Sequence, residues 1–295
     1  MVTSGRRHAG TVHVAPDGVA LAIAGLGATQ VWEAVANLFL LHAWIPRDTA
    51  FFSINNPSWS LSAEMFFYAM FPFAIPLVNR LRKTAVLPVM LGLVAVILSM
   101  PLLAGMLPSG EVFGSNHAQS PLLGASILQV WSVYAFPPVR LLEFVAGMLA
   151  ARAVREALLP HLPIWLGLAA VALSYAGSLF VPLLWQVDAI FVLPVLVLIV
   201  AAAQTASRPA LLASPLAVRM GEISFALYLV HDIILGVGRN WLGPVQLTPT
   251  GAVVFIAGLF AVSLVAALAL WRYVEVPSNN YLRSLSFSQP RKLEA

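Results

Sequence analysis

The chain has 295 residues, of which 60% are hydrophobic and 9% charged, and its mean hydropathy is +0.88. Soluble domains carry roughly a quarter charged residues, so this chain lacks the polar surface of a soluble protein and is an integral membrane protein. It has no cysteine, which excludes disulfides and thiol chemistry. Its formal charge of +4 is explained by loop Lys and Arg that orient the spans, not by nucleic-acid binding.

A span needs about 20 largely apolar residues. Eight candidates follow in order, at roughly 19–45, 58–78, 85–107, 129–151, 162–181, 187–205, 220–238 and 250–273. The first is interrupted by Gln30, Glu33 and Asn37, and His42 lies at its interfacial outer end. No secretory signal precedes it: Arg6-Arg7-His8 is followed by polar residues and Pro16-Asp17. Loop charge alternates. Arg80, Arg82 and Lys83 follow the second span, Arg152 and Arg155 the fourth, Arg208 and Arg219 the sixth, and Arg283, Arg291 and Lys292 the last. The intervening loops hold almost no Lys or Arg, which predicts both termini on the cytoplasmic side. The expected architecture is an all-α polytopic transmembrane bundle of about eight spans. It forms one domain over 1–283, and a disordered cytoplasmic tail follows over 284–295.

The second span opens on Asn55-Asn56-Pro57-Ser58-Trp59-Ser60-Leu61-Ser62-Ala63-Glu64, with Phe67-Tyr68 and Phe71-Pro72 after it. A carboxylate at the bilayer centre costs about 2.5–3.5 kcal/mol on insertion scales, so an ionisable group in a span is a functional hypothesis by default. Asn56 can cap this helix and Pro57 suits its first turn. Ser60, Glu64, Phe67, Tyr68 and Phe71 recur on one face, which the spacing turns toward the bundle. Trp59 and Tyr68 suit stacking on a sugar ring, and Ser60 and Ser62 offer hydroxyls.

In the fourth span Arg140, Glu143 and Gly147 share a face. Arg140 with Glu143 is either a self-neutralising ion pair or a site for an anionic or sugar group, and Arg140 could also hold Glu64 ionised. In the seventh span Ser224, Tyr228 and His231 share a face, and Asp232 adjoins it. His231 lies about 15 Å along the helix, where a histidine either ties helices together or serves as a base near neutral pH. Trp271-Arg272-Tyr273-Val274-Glu275-Val276-Pro277 reads as an interfacial belt ending in a helix stop. The histidines have no metal-ligand spacing. No HExxH, Walker loop, dinucleotide glycine pattern or GxSxG is present.

Four blocks in this order resemble the acyltransferase 3 family of membrane O-acyltransferases: Pro57 to Glu64 with Phe67-Tyr68 and Phe71-Pro72; Arg140 to Phe144 with Gly147; Gly221 to His231; and Tyr273 to Pro277. The resemblance implies transfer of an acyl group, often acetyl, from a cytoplasmic acyl-CoA to a hydroxyl of an extracytoplasmic, cell-envelope carbohydrate or similar acceptor. It implies a place in the cytoplasmic membrane, with acyl-CoA as a substrate and no bound cofactor. It also implies about ten helices, with a catalytic histidine in the first. This chain has no segment like that one, so the expectation is a chain lacking the first spans. In that setting His231 and Glu64 are the candidate catalytic residues. Trp59, Ser60, Ser62, Tyr68, Arg140 and Glu143 are the candidate substrate-binding residues. The alternative is a catalytically impaired membrane protein that acts as a transporter or scaffold.

Overall fold

The structure is a computed structural model describing residues 31–109, 125–205 and 214–285. Among the described residues every regular element is helical. Helix α1 (Val31–Leu38) leads through a 3₁₀ turn (His42–Trp44), the short α2 (Asp48–Phe51) and a second 3₁₀ turn (Asn56–Ser58) into α3 (Trp59–Arg80). Then come α4 (Lys83–Gly105), α5 (Ile127–Tyr134), α6 (Pro137–Arg155), α7 (Ile164–Ser178), α8 (Leu183–Gln186), α9 (Ala189–Gln204), α10 (Pro215–Leu242) and α11 (Pro249–Leu270). A π-helical turn (Trp271–Glu275) joins α11 to α12 (Val276–Leu285).

Among the described residues six segments are long and apolar enough to cross a membrane: Asn56–Arg80, Lys83–Gly105, Ile127–Arg155, Leu183–Gln204, Pro215–Leu242 and Pro249–Ser284. Helix α7 is apolar but shorter. This is the all-α multi-pass bundle that hydropathy demands.

The first candidate span begins outside the described residues, and its described part does not run on to residue 45. Helix α1 stops at Leu38 in a Schellman-type end: Leu40 takes a positive φ of 54°, and the Leu41 N–H reaches back to the Ala36 carbonyl at 2.7 Å. The Asn37 side chain donates to the Glu33 carbonyl at 3.0 Å and also to Ser53 Oγ. These bonds fold residues 39–58 into a compact cap.

The fourth span is broken rather than continuous. Pro137 and Pro138 start α6 at its first positions, where a missing N–H costs nothing. Ser126 and Gln129 form a capping box at the start of α5, and Gln129 Nε2 also donates to the Leu107 carbonyl at 3.2 Å, tying α5 to the end of α4.

The expected stop at Pro277 is absent. Proline has no N–H and crowds the carbonyl four residues back, which in an α-helix forces a kink or an end. Here the preceding turn widens to π register, with the Val276 N–H bonding the Trp271 carbonyl, and the helix continues to Leu285. The tail over 286–295 lies outside the described residues.

The main core joins α3, α4, α6 and α9 through Val78, Val86, Met90, Val94, Leu149, Ala150, Ala153, Leu196 and Val200. Lipid tails are as apolar as leucine, so packing and polar contacts, rather than removal from water, hold such helices together. Close approach is visible where α7 meets α9. A Cβ on Gly167 would lie 2.5 Å from the Leu198 Cα. A second core gathers Phe51, Ala125, Ile127, Val130 and Ala135 at the end of the bundle where α3 begins. The outward faces carry Leu168, Leu173, Val253, Val254 and Ile256, all strongly exposed, as a lipid-facing surface requires.

Candidate functional site

The site is built where the cap over residues 39–58 meets the start of α3. Ser58 holds the N-cap position of α3, yet its side chain makes no capping bond. Its Oγ lies 3.2 Å from Nε2 of His42. His42 is fully buried, with 0% exposure, whereas Ser58 is half-buried. The His42 Nδ1 is buried and has no hydrogen-bond partner. Ser62 is also fully buried and donates to the Leu40 carbonyl, clamping α3 to the turn that follows α1. Ser60 Oγ donates to the Pro57 carbonyl at 3.0 Å. These two serines thus anchor backbone, and their hydroxyl protons are not free for an acceptor.

Helix α10 docks on the same segment. Asn55 Nδ2 donates to the Leu229 carbonyl at 2.9 Å, and the Tyr228 hydroxyl donates to the Pro57 carbonyl at 3.2 Å. His231 follows one turn later, with its ring 5.9 Å from that of Tyr228. Its Nδ1 lies 2.7 Å from the Tyr228 carbonyl and 3.2 Å from that of Leu227. A carbonyl can only accept, so Nδ1 carries the hydrogen and a neutral ring presents its lone pair at Nε2. His231 lines an open cavity of about 390 Å³ between α10 and α11, shared with Ser224, Leu227, Tyr228, Phe260 and Ser263. The lining is apolar apart from the histidine, the tyrosine and the two serines.

A third feature lies in α6. The Arg140 Nη1 contacts Glu143 Oε1 at 2.9 Å and Asp188 Oδ1 at 2.6 Å, and Nη2 donates to the Val133 carbonyl. Arg140 is buried, its Nε has no partner, and Asp188 Oδ2 is likewise buried without one. Asp188 sits just before α9, so this guanidinium ties α5, α6 and α9 together.

Several expectations are corrected here. Tyr68 does not face inward: it is 71% exposed, because its neighbours Phe67 and Phe71 take the α6-facing side and pack on Phe144. Trp59 packs on Tyr134 with ring centres 4.6 Å apart and planes tilted by 48°, so one of its sides is already covered. Arg140 pairs with Glu143 and Asp188, not with Glu64. Glu64 is half-buried on α3 and makes no hydrogen bond or ion pair among the described residues. The structure therefore brings His231 to the head of the α3 motif through Tyr228, and the Arg140 cluster reaches the same head through Tyr134, which packs on Trp59.

Sequence reading missed three participants. Asp188 was the plainest, being an acidic residue at the head of an apolar stretch, where the rule applied to Glu64 applies equally. His42 passed as interfacial, and Ser58 as one hydroxyl among several. Nothing local distinguishes them, because their proximity depends on the turn at Leu40. Among the described residues no group of three His, Cys, Asp or Glu is placed to hold a metal ion.

The helical architecture and the buried polar constellations define a multi-pass membrane protein with polar chemistry built inside the bundle. Residues 18–272 match the family described as "Acyltransferase domain", and the chain belongs to that family, the acyltransferase 3 family. It is 30% identical over 267 residues to a protein of Streptomyces mycarofaciens named acyltransferase MdmB. The match takes in 84% of this chain and 64% of that relative, so the chain spans less than two thirds of the relative's length. No solved structure matches the chain.

Proposed function

We propose that this protein is a membrane O-acyltransferase that moves an acyl group from acyl-CoA to a hydroxyl of a carbohydrate or similar acceptor outside the cytoplasm. The observation that carries this reading is the acyltransferase match over residues 18–272, which spans both the α3 motif and the His231 block. The geometry supports it. His231, its Nδ1 held by the Tyr228 carbonyl, lines a cavity large enough for a small acyl or sugar unit, beside a hydroxyl-rich segment.

Acyl transfer needs three things: a base for the acceptor proton, donors for the developing oxyanion and a site sheltered from water. His231 Nε2 takes the acceptor proton. Glu64, half-buried and without a partner among the described residues, binds or orients the acceptor. Trp59 offers its open face to a sugar ring. The Arg140–Glu143–Asp188 cluster fixes the floor on which α3 and α9 rest. Loop Lys and Arg put the Arg80 and Arg152 end of the bundle in the cytoplasm and the α3 motif at the outer side. This fits a cytoplasmic membrane with the acceptor arriving from outside.

The test is acyl-CoA-dependent labelling of envelope carbohydrate in a deletion strain complemented with this chain. Labelling is expected with the parental chain and is expected to fall at least about 100-fold in folded His231→Ala, the scale of a lost general base. Parental labelling in that variant, or in Glu64→Gln, removes those roles. No labelling with any acyl-CoA, together with normal insertion, favours a transporter or scaffold.

A further inference from the structure

Acyl transfer as proposed above gives no part to His42, the most deeply buried titratable side chain among the described residues. His42 is fully enclosed, and the group with hydrogen-bonding hydrogen within reach of its Nε2 is the Ser58 hydroxyl at 3.2 Å. Three observations set this pair apart from an ordinary structural bond. First, Ser58 ends the 3₁₀ turn that runs straight into α3 with helical backbone angles, so its hydroxyl has no cap to make and turns its Oγ to an imidazole.

Second, exposure differs across the pair. His42 has no exposed surface, while Ser58 is half-open. Ser58 is thus the half-open member of the pair. Third, the pair is held from both sides. Asn55 and the Pro57 carbonyl are bonded to α10, two and three residues from His231, and Ser62 clamps the far side to Leu40. The nucleophile and a second base would thus share one preorganised segment.

We propose that Ser58 is a covalent acyl carrier activated by His42, so that transfer proceeds through an acyl-serine. The inference rests on the acyl-transfer reading above. In the first half-reaction Ser58 Oγ attacks the carbonyl of an acyl thioester whose acyl end reaches through the bundle to the α3 head. An Oγ–C bond forms, the C–S bond breaks, the thiolate leaves, and the Oγ proton passes to His42 Nε2. In the second, the acceptor hydroxyl attacks the acyl-serine. Its oxygen bonds to the acyl carbon, its proton goes to His231 Nε2, the Oγ–C bond breaks, and His42 returns its proton to Oγ. No oxidant or further reactant is needed.

The test uses p-nitrophenyl acetate, an activated ester that any competent nucleophile accepts whatever the natural donor. The detergent-purified full chain is mixed with it, and p-nitrophenolate release and intact mass are followed. The expected result is a burst of about one equivalent per chain and an acetyl adduct on the peptide carrying Ser58. Folded Ser58→Ala abolishes both, and His42→Gln slows the burst at least about 100-fold. Ser58→Cys keeps an adduct at the same position, now as a thioester. An adduct elsewhere, no burst from the folded parental chain, or a burst unchanged in Ser58→Ala overturns the proposal. If His42→Gln does not fold, the position of the parental adduct decides alone. A failed acyl-CoA reading leaves the burst intact. A failed carrier leaves acyl-CoA turnover without an adduct, so the two failures are distinguishable.

Discussion

Helix α6 carries an arginine at each end, and both are 7% exposed, yet the two ends are built differently. Arg152 has all three guanidinium nitrogens occupied. Nε meets Glu156 at 2.8 Å, Nη1 donates to the Val78 carbonyl, and Nη2 donates to the Leu81 carbonyl at 2.9 Å. The carbonyls lie at the end of α3, where the helix leaves acceptors unpaired and its dipole favours positive charge. Lys83 adds a second cation, 3.9 Å from Glu156. Arg140 faces two carboxylates with one nitrogen, and its Nε has no partner. One arginine closes a helix end with its hydrogen bonds satisfied. The other sits in a cluster of one guanidinium and two carboxyl groups with unused polar atoms. Buried groups of that kind are costly to keep, and a folded chain keeps them where a site must be held in place.

Removing each arginine is the strongest way to break this comparison. Arg140→Ala leaves Glu143 and Asp188 buried without a cation and is expected to cost about 3–5 kcal/mol, read as lost expression and a lower unfolding midpoint in detergent. Adding Glu143→Leu and Asp188→Leu to Arg140→Met is expected to recover most of that stability without recovering activity. Recovery of both would make the cluster merely structural. Arg152→Ala is expected to cost less, about 1.5–3 kcal/mol, the scale of a hydrogen bond to a charged group, with activity per folded molecule unchanged.

An uncharged contact supplies the reference. Gly167→Ala drives a Cβ against the Leu198 backbone, which cannot rotate away, and is expected to cost about 1–3 kcal/mol. Gly238→Ala meets only the Leu259 side chain, which can move, so its cost is expected to be smaller.

The smallest effect concerns pH. The Arg152 hydrogen bond holds the Glu156 carboxyl below its ordinary 4.5. A carboxylate held low in the folded state contributes stability above its unfolded value, and loses it as pH falls through the folded one. Unfolding midpoints below about pH 4.3 should therefore fall less steeply in Glu156→Gln than in the parental chain. Equal slopes would show that Glu156 plays no part in the acid response.

Most span positions were legible because crossing a bilayer is a local requirement. The second, third and sixth spans, expected at 58–78, 85–107 and 187–205, are found as Trp59–Arg80, Lys83–Gly105 and Ala189–Gln204. Internal prolines at 72, 76, 88, 101 and 194 did not break them, since neighbouring helices can satisfy freed backbone groups. The break at Pro137 and the continuation through Pro277 were not legible. Both turn on backbone geometry around a proline, and hydropathy does not register it. On the site, helical spacing put Tyr228 and His231 on one face but set His231 near the bilayer centre; α10 begins at Pro215 rather than 220, and His231 lies one turn beyond the Tyr228 that meets Pro57. The outward turn of Tyr68 was not, because Phe67 and Phe71 compete for the same inward side and only the position of Phe144 settles which wins.

By itself, then, the sequence determined that this is an α-helical membrane protein, where most of its spans lie and which polar residues interrupt them. Those properties follow from about 20 apolar residues per crossing and from the cost of burying charge. Only the tertiary structure decided the partners. His42 meets Ser58 because the chain reverses at Leu40. Arg140 meets Asp188 because α9 packs against α6, and Tyr228 meets the Pro57 carbonyl because α10 docks on the lead into α3. Such contacts join residues far apart in the chain, and side-chain packing, which no local pattern records, selects them.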